Sequence, residues 1–299
     1  MATVPLHVPL DDPASAGISR AQALWVTMKR KPLGAVSAAL LVVIVLTAIF
    51  ADVLAPYDPL ATQPEIRLSA PSRAHPFGTD DIGRDVLSRI IYGARISLWV
   101  GLLAVGIGTA VGMVIGLLCG YCEGRLDLIV QRLMDAIQAI PGLVLALAIV
   151  AVLKPNTTNA MLAIAMVIIP GNSRIVRGAV LTAKQNRYVE AAQAMGCRHP
   201  RIILTHILPN VTAPILVIAS IWLGNAILIE ATLSFLGVGT QPPTPSWGLM
   251  LSSTGRAFME QAPWLAIFPG LAISLAVLGF NLFGDTLRDA WDPKLRRNG

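Results

Sequence analysis

Side chains able to perform chemistry are few in this sequence, and their spacing matches no common catalytic or nucleotide-binding motif. None of the lysines is followed by Ser or Thr, so the glycine-rich loop that cradles nucleotide phosphates is absent. The 4 histidines form no H-E-x-x-H pair and join no cysteine cluster, which excludes the usual zinc motifs. No G-x-S-x-G nucleophile elbow is present. We therefore expect a protein that is not itself an enzyme and holds no metal.

Five further residues could carry chemistry. Cys119 and Cys122 form a C-x-x-C pair, but no alternating strand and helix pattern surrounds them, so we interpret them as small packing residues. Three acidic residues lie in or beside apolar runs, where a charge is costly and often functional. Asp135 and Asp285 fall near predicted ends of these runs, which favours solvated roles. For Glu230 two roles remain open: structural hydrogen bonding, or lining a solute pathway.

Composition points to a membrane protein. The chain has 299 residues, of which 55% are hydrophobic and only 13% are charged, against about 25% charged in soluble domains. The net charge of +6 could suggest nucleic acid as a partner. However, the basic residues are divided among separate loops and form no patch with interleaved aromatic residues. We therefore exclude a nucleic-acid partner and interpret the charge as information about membrane topology.

Uncharged runs predict an all-α, polytopic fold with six transmembrane helices, because each run can cross the hydrocarbon layer. The predicted spans are residues 32–51, residues 96–122, about 133–153, a fourth ending near Asn172, one from Pro209 to Phe235, and residues 262–283. These spans divide the chain into four segments: a cytoplasmic tail (1–31), a first span with an external amphipathic segment (32–95), a five-helix core (96–287) and a final cytoplasmic tail (288–299). The core contains a cytoplasmic loop at 184–209.

The distribution of Lys and Arg predicts the orientation of these spans. With the amino terminus inside, 16 of the 23 basic residues fall in segments assigned to the cytoplasm, and each of the two short external loops holds one. We therefore expect a multi-pass membrane protein with both termini in the cytoplasm.

The polar segment before the second span predicts an external helix. Asp80 or Asp81 could cap it. After that, apolar residues from Val86 to Ile91 repeat at helical spacing, with Asp85 and Arg89 on the opposite side. This pattern is typical of an amphipathic helix lying in the membrane interface.

A stripe of glycines marks one face of the second span. The four recur at intervals of four residues: Gly108, Gly112, Gly116 and Gly120. Because lipid provides no hydrophobic drive for helix association, a smooth stripe lets a neighbouring helix approach closely. We expect this face to pack against another helix.

A polar, basic segment from Tyr188 to Asn210 separates two apolar runs, and it predicts two short helices joined by a turn. Ala191, Ala192 and Met195 are expected on one side of the first helix. Gly196 can take the positive φ that ends a helix, and Pro200 suits the first turn of a second helix. A helix with little bulk on one side can enter a groove on another protein. The alternative is a plain connector with chance alanines.

The same segment resembles a known family. Glu190-Ala191-Ala192, Gly196 and Leu208-Pro209 resemble the EAA loop of permease subunits of bacterial ABC importers. The family's usual Ile before that Leu is His206 here, and the variant "HILPN" resembles the peptide-importer branch. Three further stretches resemble the C-type subunit of dipeptide and oligopeptide importers: residues 75–98, 227–239 and 284–296.

The resemblance implies a type I ABC importer permease core of the methionine-permease type, working by alternating access in a bacterial inner membrane. It implies four kinds of partner: a second homologous permease subunit, two cytoplasmic ABC ATPases that hold the ATP and Mg²⁺, an external solute-binding protein, and the lipid membrane. No cofactor is expected in this chain. The residues implied to couple to the ATPase are Tyr188, Glu190, Ala191, Ala192, Met195, Gly196, His206, Leu208 and Pro209.

The resemblance leaves the substrate open among dipeptides, oligopeptides, glutathione and nickel chelates. A secondary transporter or channel is the first rival, but it predicts ion-coupling carboxylates or inverted repeats near the midplane, and neither is evident. An intramembrane enzyme is the second rival, and it would need a catalytic constellation that the sequence lacks.

Overall fold

The computed structural model describes residues 32–252 and 257–291, and within these ranges all regular elements are helices. The predicted tail 1–31 and residues 292–299 lie outside the described residues. The helices are α1 (Pro32–Ile49), α2 (Ala51–Leu54), α3 (Val86–Cys122), α4 (Gly124–Gln138), α5 (Gly142–Leu153), α6 (Thr157–Lys184), α7 (Arg187–Ala194), α8 (His199–Arg201), α9 (Leu208–Phe235), α10 (Trp247–Met250) and α11 (Trp264–Trp291). A short 3₁₀ turn covers Pro64–Ile66, and a π-helical segment, Ile202–Ile207, joins α8 to α9.

The described helices supply up to six membrane crossings, which confirms the all-α fold class. Five are long and apolar enough to span a bilayer: α1, α3, α6, the run from His199 to Phe235, and α11. The sixth is a bent pair, α4 and α5, which meet at 90°. Because Gly34 lies against Thr286, the start of α1 and the end of α11 share one end of the bundle.

Three predicted boundaries are wrong. The third span is two helices rather than one, because Pro141 has no N–H to continue a helix and takes an extended conformation before α5. The fourth span does not weaken at Pro170 but continues to Lys184, since its neighbours support the helix past the missing hydrogen bond. The sixth span begins at Trp264 and continues to Trp291.

The predicted helix at Val86 to Ile91 is confirmed, but these residues form the first turns of α3 rather than a helix lying in the membrane interface. The N-cap residue of α3 is Asp85, whose carboxylate accepts hydrogen bonds from the N–H and hydroxyl of Ser88 at 2.8 and 2.7 Å. Asp80 instead closes a loop, accepting from the Arg84 N–H at 2.9 Å and from its guanidinium at 2.6 Å.

The polar side of this segment is buried in the protein rather than exposed to solvent. Asp85, Ser88 and Arg89 are all at most 4% exposed. The chain before them folds over this surface, where the Tyr57 N–H donates to the Ser88 hydroxyl at 3.1 Å and Arg89 donates to the Pro59 carbonyl at 3.2 Å. The amphipathic pattern therefore reflects a folded cap that covers the start of α3.

An ion pair fixes the end of α1 beside α3. The Arg95 guanidinium contacts the Asp52 carboxylate at 3.1 Å and donates to the Ala48 carbonyl at 3.0 Å. Hydrogen bonds from Arg95 and Tyr92 hold the pKa of Asp52 below its ordinary value. Both partners are substantially exposed, so the pair orients the helices more than it stabilises them.

The glycine stripe of α3 packs along α6. All four members face it: Gly108, Gly112, Gly116 and Gly120. A Cβ added at Gly116 would lie 2.6 Å from the Ser173 carbonyl oxygen, and one at Gly108 would lie 2.9 Å from that of Ala165. The two backbones are therefore too close for any side chain, and α3 and α6 form the central helix pair.

We expect Gly116→Ala to lower the thermal unfolding temperature of the purified protein by several degrees. Overpacking of this kind costs roughly 1–3 kcal/mol, because a backbone has to move. Gly106→Ala is the matched control, since a Cβ at Gly106 in the same helix meets nothing within 4 Å. Equal melting of the two variants would contradict the close packing.

Candidate functional site

The helix α7 lies at the end of the bundle where α3 and α6 terminate, and its inner side is anchored in the chain's own core. Val189 and Ala192 are 0% and 1% exposed. They belong to a cluster that also includes Val180 of α6, Tyr121 of α3 and Ile202 of the π-helical segment. Movement of α7 is therefore coupled by packing to the long helices around it.

Local hydrogen bonds fix where α7 begins and ends. The Asn186 side-chain amide donates to the Ala183 carbonyl at 3.0 Å, which closes the end of α6 before α7 starts. At the other end the Cys197 N–H donates to the Ala192 carbonyl at 3.1 Å, and the Gly196 N–H donates to the Gln193 carbonyl at 2.9 Å. This is a Schellman motif, and the φ of +77° at Gly196 is the conformation that the motif requires.

The second predicted short helix is not separate. Pro200 occupies the first turn of α8, as expected, but α8 continues through the π-helical segment into α9. His206 and Leu208 are half-buried in this continuous helix, and Pro209 is exposed at the first turn of α9. The segment from Tyr188 to Asn210 is thus one exposed helix, one tight turn and the start of a membrane span.

The outer side of α7 differs from the predicted one. Ala192 faces the core, whereas Ala191 is exposed and Met195 is 76% exposed. Adjacent helical residues lie about 100° apart, so Ala191 and Ala192 cannot share a narrow face. Tyr188 is 40% exposed and stands three residues before Ala191. We name the exposed set Tyr188, Glu190, Ala191, Met195 and Gly196 the α7 surface.

Polar contacts that the sequence did not predict hold this end of the bundle together. The Tyr121 hydroxyl and the His199 Nδ1 lie 2.7 Å apart, linking α3 to α8. Lys184, at the end of α6, donates to the Tyr121 carbonyl and to a Glu123 carboxylate oxygen, both at 2.8 Å. No local spacing could reveal these pairs, because their members are separated by 61 to 78 residues.

Two arginines of α6 hold the amphipathic helix α4. Arg177 makes a two-point hydrogen bond to the Asp127 carboxylate, at 2.6 and 2.5 Å. One turn earlier, Arg174 forms an ion pair with Asp135. Asp135 therefore has a basic partner near a helix end, and Asp285 is exposed near the end of α11.

Glu230 is sealed inside the chain rather than facing a pathway. It is 1% exposed, and its carboxylate oxygens accept hydrogen bonds from the hydroxyls of Ser97 at 3.1 Å, Ser234 at 2.8 Å and Thr240 at 3.3 Å. These donors come from α3, α9 and the loop after α9. Of the two roles left open, the geometry favours structural hydrogen bonding.

The two cysteines of the C-x-x-C pair lie in different surroundings. Cys119 is buried and Cys122 exposed, and both thiols are free. Within the described residues, no group of three or more His, Cys, Asp or Glu side chains could hold a metal ion.

Comparison with known proteins identifies the family. Residues 112–297 match the family described as "Binding-protein-dependent transport system inner membrane component". The chain belongs to this family. Residues 19–71 match a second family, the amino-terminal transmembrane domain of oligopeptide transport permease C. The sequence resemblance to an importer permease is thus confirmed.

Individual relatives cover nearly the whole permease. It is 46% identical to a dipeptide transport system permease protein from Alkalihalophilus pseudofirmus, over 90% of this chain and 88% of the relative. It is 44% identical to a probable D,D-dipeptide transport system permease protein from Escherichia coli K12, over 92% and 91% of the two chains. It is 45% identical to a glutathione transport system permease protein from E. coli O6:K15:H31, over 91% and 90%.

A solved structure confirms the predicted core fold. The permease matches a chain of the MetNI methionine ABC transporter, in an inward-facing conformation, with a TM-score of 0.57. The match covers 69% of this chain and 98% of that chain. At 17% sequence identity this likeness shows the fold alone.

We expect Glu230→Ala to lower stability strongly and to reduce the amount of folded permease in membranes. Three buried hydroxyls would lose their acceptor, at a cost on the order of 2–4 kcal/mol. Glu230→Gln keeps one acceptor oxygen and should have a smaller effect. Thermal unfolding and membrane yield measure this, and a stable Glu230→Ala variant that only fails to transport would instead indicate a pathway residue.

Proposed function

We propose that this permease is the transmembrane subunit of an ATP-driven importer for di- and oligopeptides. The observation that carries the proposal is the α7 surface, a compact exposed helix whose opposite side is packed into α3, α6 and α9. Such a helix can receive force from another protein and transmit it to the spanning helices. The substrate class is taken from two relatives that are named as dipeptide permeases.

The orientation supports a cytoplasmic partner. With the amino terminus inside, α7 and α8 lie on the cytoplasmic side, where Lys and Arg are concentrated. The external cap around Asp85 and Arg89 then lies on the opposite side, available to a solute-binding protein. Both termini are cytoplasmic in this arrangement.

ATP hydrolysis belongs to separate chains in this proposal. No phosphate-binding loop exists in the sequence, so ATP and Mg²⁺ are bound by two cytoplasmic ABC ATPases. A second homologous permease subunit completes the transmembrane passage. Closure of the ATPases pushes α7, and the core cluster around Val189 passes this movement to the long helices, which open alternately to the two sides.

Glutathione is a second candidate substrate. The relative from E. coli O6:K15:H31 is named for glutathione transport and is as similar to this chain as the dipeptide relatives are. Glutathione is itself a small peptide, so a passage that accepts short peptides suits both.

Uptake measurements test the proposal. In vesicles containing the permease pair, its ATPases and its binding protein, we expect labelled dipeptide to accumulate only when ATP is present on the ATPase side. Unlabelled glutathione should compete if it shares the passage. Accumulation driven by an ion gradient without ATP would contradict the proposal and indicate a secondary transporter.

The α7 surface can be tested with Met195→Arg. We expect co-purification of the ATPase to weaken about tenfold or more, because a bulky charge would enter a close interface. Met259→Arg is the control, since Met259 is 52% exposed near the opposite end of the bundle. Ala192→Arg is unsuitable, because burial of Ala192 would make the variant disrupt α7 itself. Normal ATPase binding by Met195→Arg would contradict the docking role.

A further inference from the structure

A cavity of about 370 Å³ opens at the break between α4 and α5. Its lining includes Gln138 and Gly142 at the break, Pro170 and Gly171 of α6, and Trp222 and Asn225 of α9. Gly142 permits this arrangement, because a Cβ there would lie 2.8 Å from a Val167 methyl group. The proposed function does not assign any role to this cavity.

The cavity lies level with the middles of two spanning helices. Pro170 is near the middle of α6, and Trp222 is near the middle of α9. The two helices meet there, since a Cβ at Gly171 would lie 3.5 Å from the Trp222 ring. A broken helix at this depth is tolerated only where protein or a water-filled space surrounds the backbone. The break at Pro141 is thus consistent with a passage rather than a lipid-facing surface.

Three of the residues that line this cavity carry hydrogen-bond donors: Gln138, Trp222 and Asn225. The Trp222 indole N–H is buried and has no acceptor among the described residues. Because an unpaired buried donor costs free energy, such a group calls for an acceptor from elsewhere. The Asn225 amide has only a long contact of 3.5 Å to the Ile221 carbonyl, and the Gln138 amide is exposed.

The start of α5 provides further hydrogen-bond donors, from its backbone. Pro141 provides no side-chain cap, so the first N–H groups of α5 lack intrahelical partners beside Gly142. None of the described residues lining the cavity carries a formal charge. Most of the lining is apolar, so the few neutral donors at this helix amino terminus are the groups that suit ligands presenting acceptors. Lipid acyl chains present none.

We infer that this cavity is a binding subsite for the carbonyl and carboxylate oxygens of a peptide passing through the membrane, with the Trp222 N–H as its central donor. The inference rests on the proposed function and adds a location and a recognition chemistry to it. Asn225 and Gln138 supply further donors to successive acceptors as the peptide moves.

Trp222→Phe tests the donor, because it removes the N–H and keeps most of the ring. In vesicles containing the complete importer, we expect dipeptide uptake per ATP hydrolysed to fall roughly tenfold, the scale of one lost hydrogen bond. Trp99→Phe is the control, since Trp99 is 59% exposed on α3 away from the cavity. Trp99→Phe should keep both uptake and basal ATPase activity at the wild-type level, and co-purification of the complex checks that each variant assembles.

Comparing a dipeptide with its carboxyl-terminal amide shows which oxygen of the peptide accepts the hydrogen bond. A Trp222→Phe defect confined to the free acid identifies the terminal carboxylate as the acceptor, and an equal defect for both identifies the backbone carbonyl. Each variant is compared with wild type for the same peptide. Any preference of the binding protein for one peptide therefore cancels from the ratio of the two uptake rates.

Gly171→Leu provides a second test that does not depend on Trp222. The leucine side chain would extend into the cavity, so we expect uptake to be blocked while the complex still assembles. Gly106→Leu is the matched control, because its position in α3 is open. Uptake at the wild-type level by both Trp222→Phe and Gly171→Leu would overturn this subsite and leave the proposed function standing. A wild-type importer that carries no peptide would overturn both.

Discussion

The close backbone contact between α3 and α6 is the constraint on which the rest of the structure depends. Lipid does not drive helices together, so this pair is held by van der Waals packing along the glycine stripe and by hydrogen bonds at its end. The contact leaves no room for a Cβ at Gly116. It therefore fixes both the position of α6 and its rotation about its own axis.

The orientation of α6 then places two functional features at different depths of one rigid element. Pro170 and Gly171, near its middle, form a wall of the cavity. Lys184, at its end, contacts the last turn of α3 just before the chain enters α7. In the proposed mechanism, a single helix connects α7 to the cavity, which is a direct physical route for coupling.

Buried polar groups stabilise the opposite end of the bundle. Glu230 accepts hydrogen bonds from hydroxyl groups on two spans and a loop, and Asp85 caps the start of α3 beneath the folded segment. Removing one partner of such a network leaves its other members unsatisfied, so the network specifies one arrangement of helices. This end is consequently a rigid support, while the break between α4 and α5 leaves the cavity open.

The sequence by itself determined the features that depend on local chemistry: the apolar spans, the smooth face of the glycine stripe, the helix stop at Gly196 and the start at Pro200. It also carried the family resemblance, through residues 188–210. Only the tertiary structure decided that Ala192 faces inward, that Pro141 breaks a span while Pro170 does not, and that Glu230 and Trp222 have opposite hydrogen-bonding states. These outcomes depend on neighbours distant in the chain, such as Ser97 for Glu230. Spacing along one helix cannot specify which side a distant partner will cover.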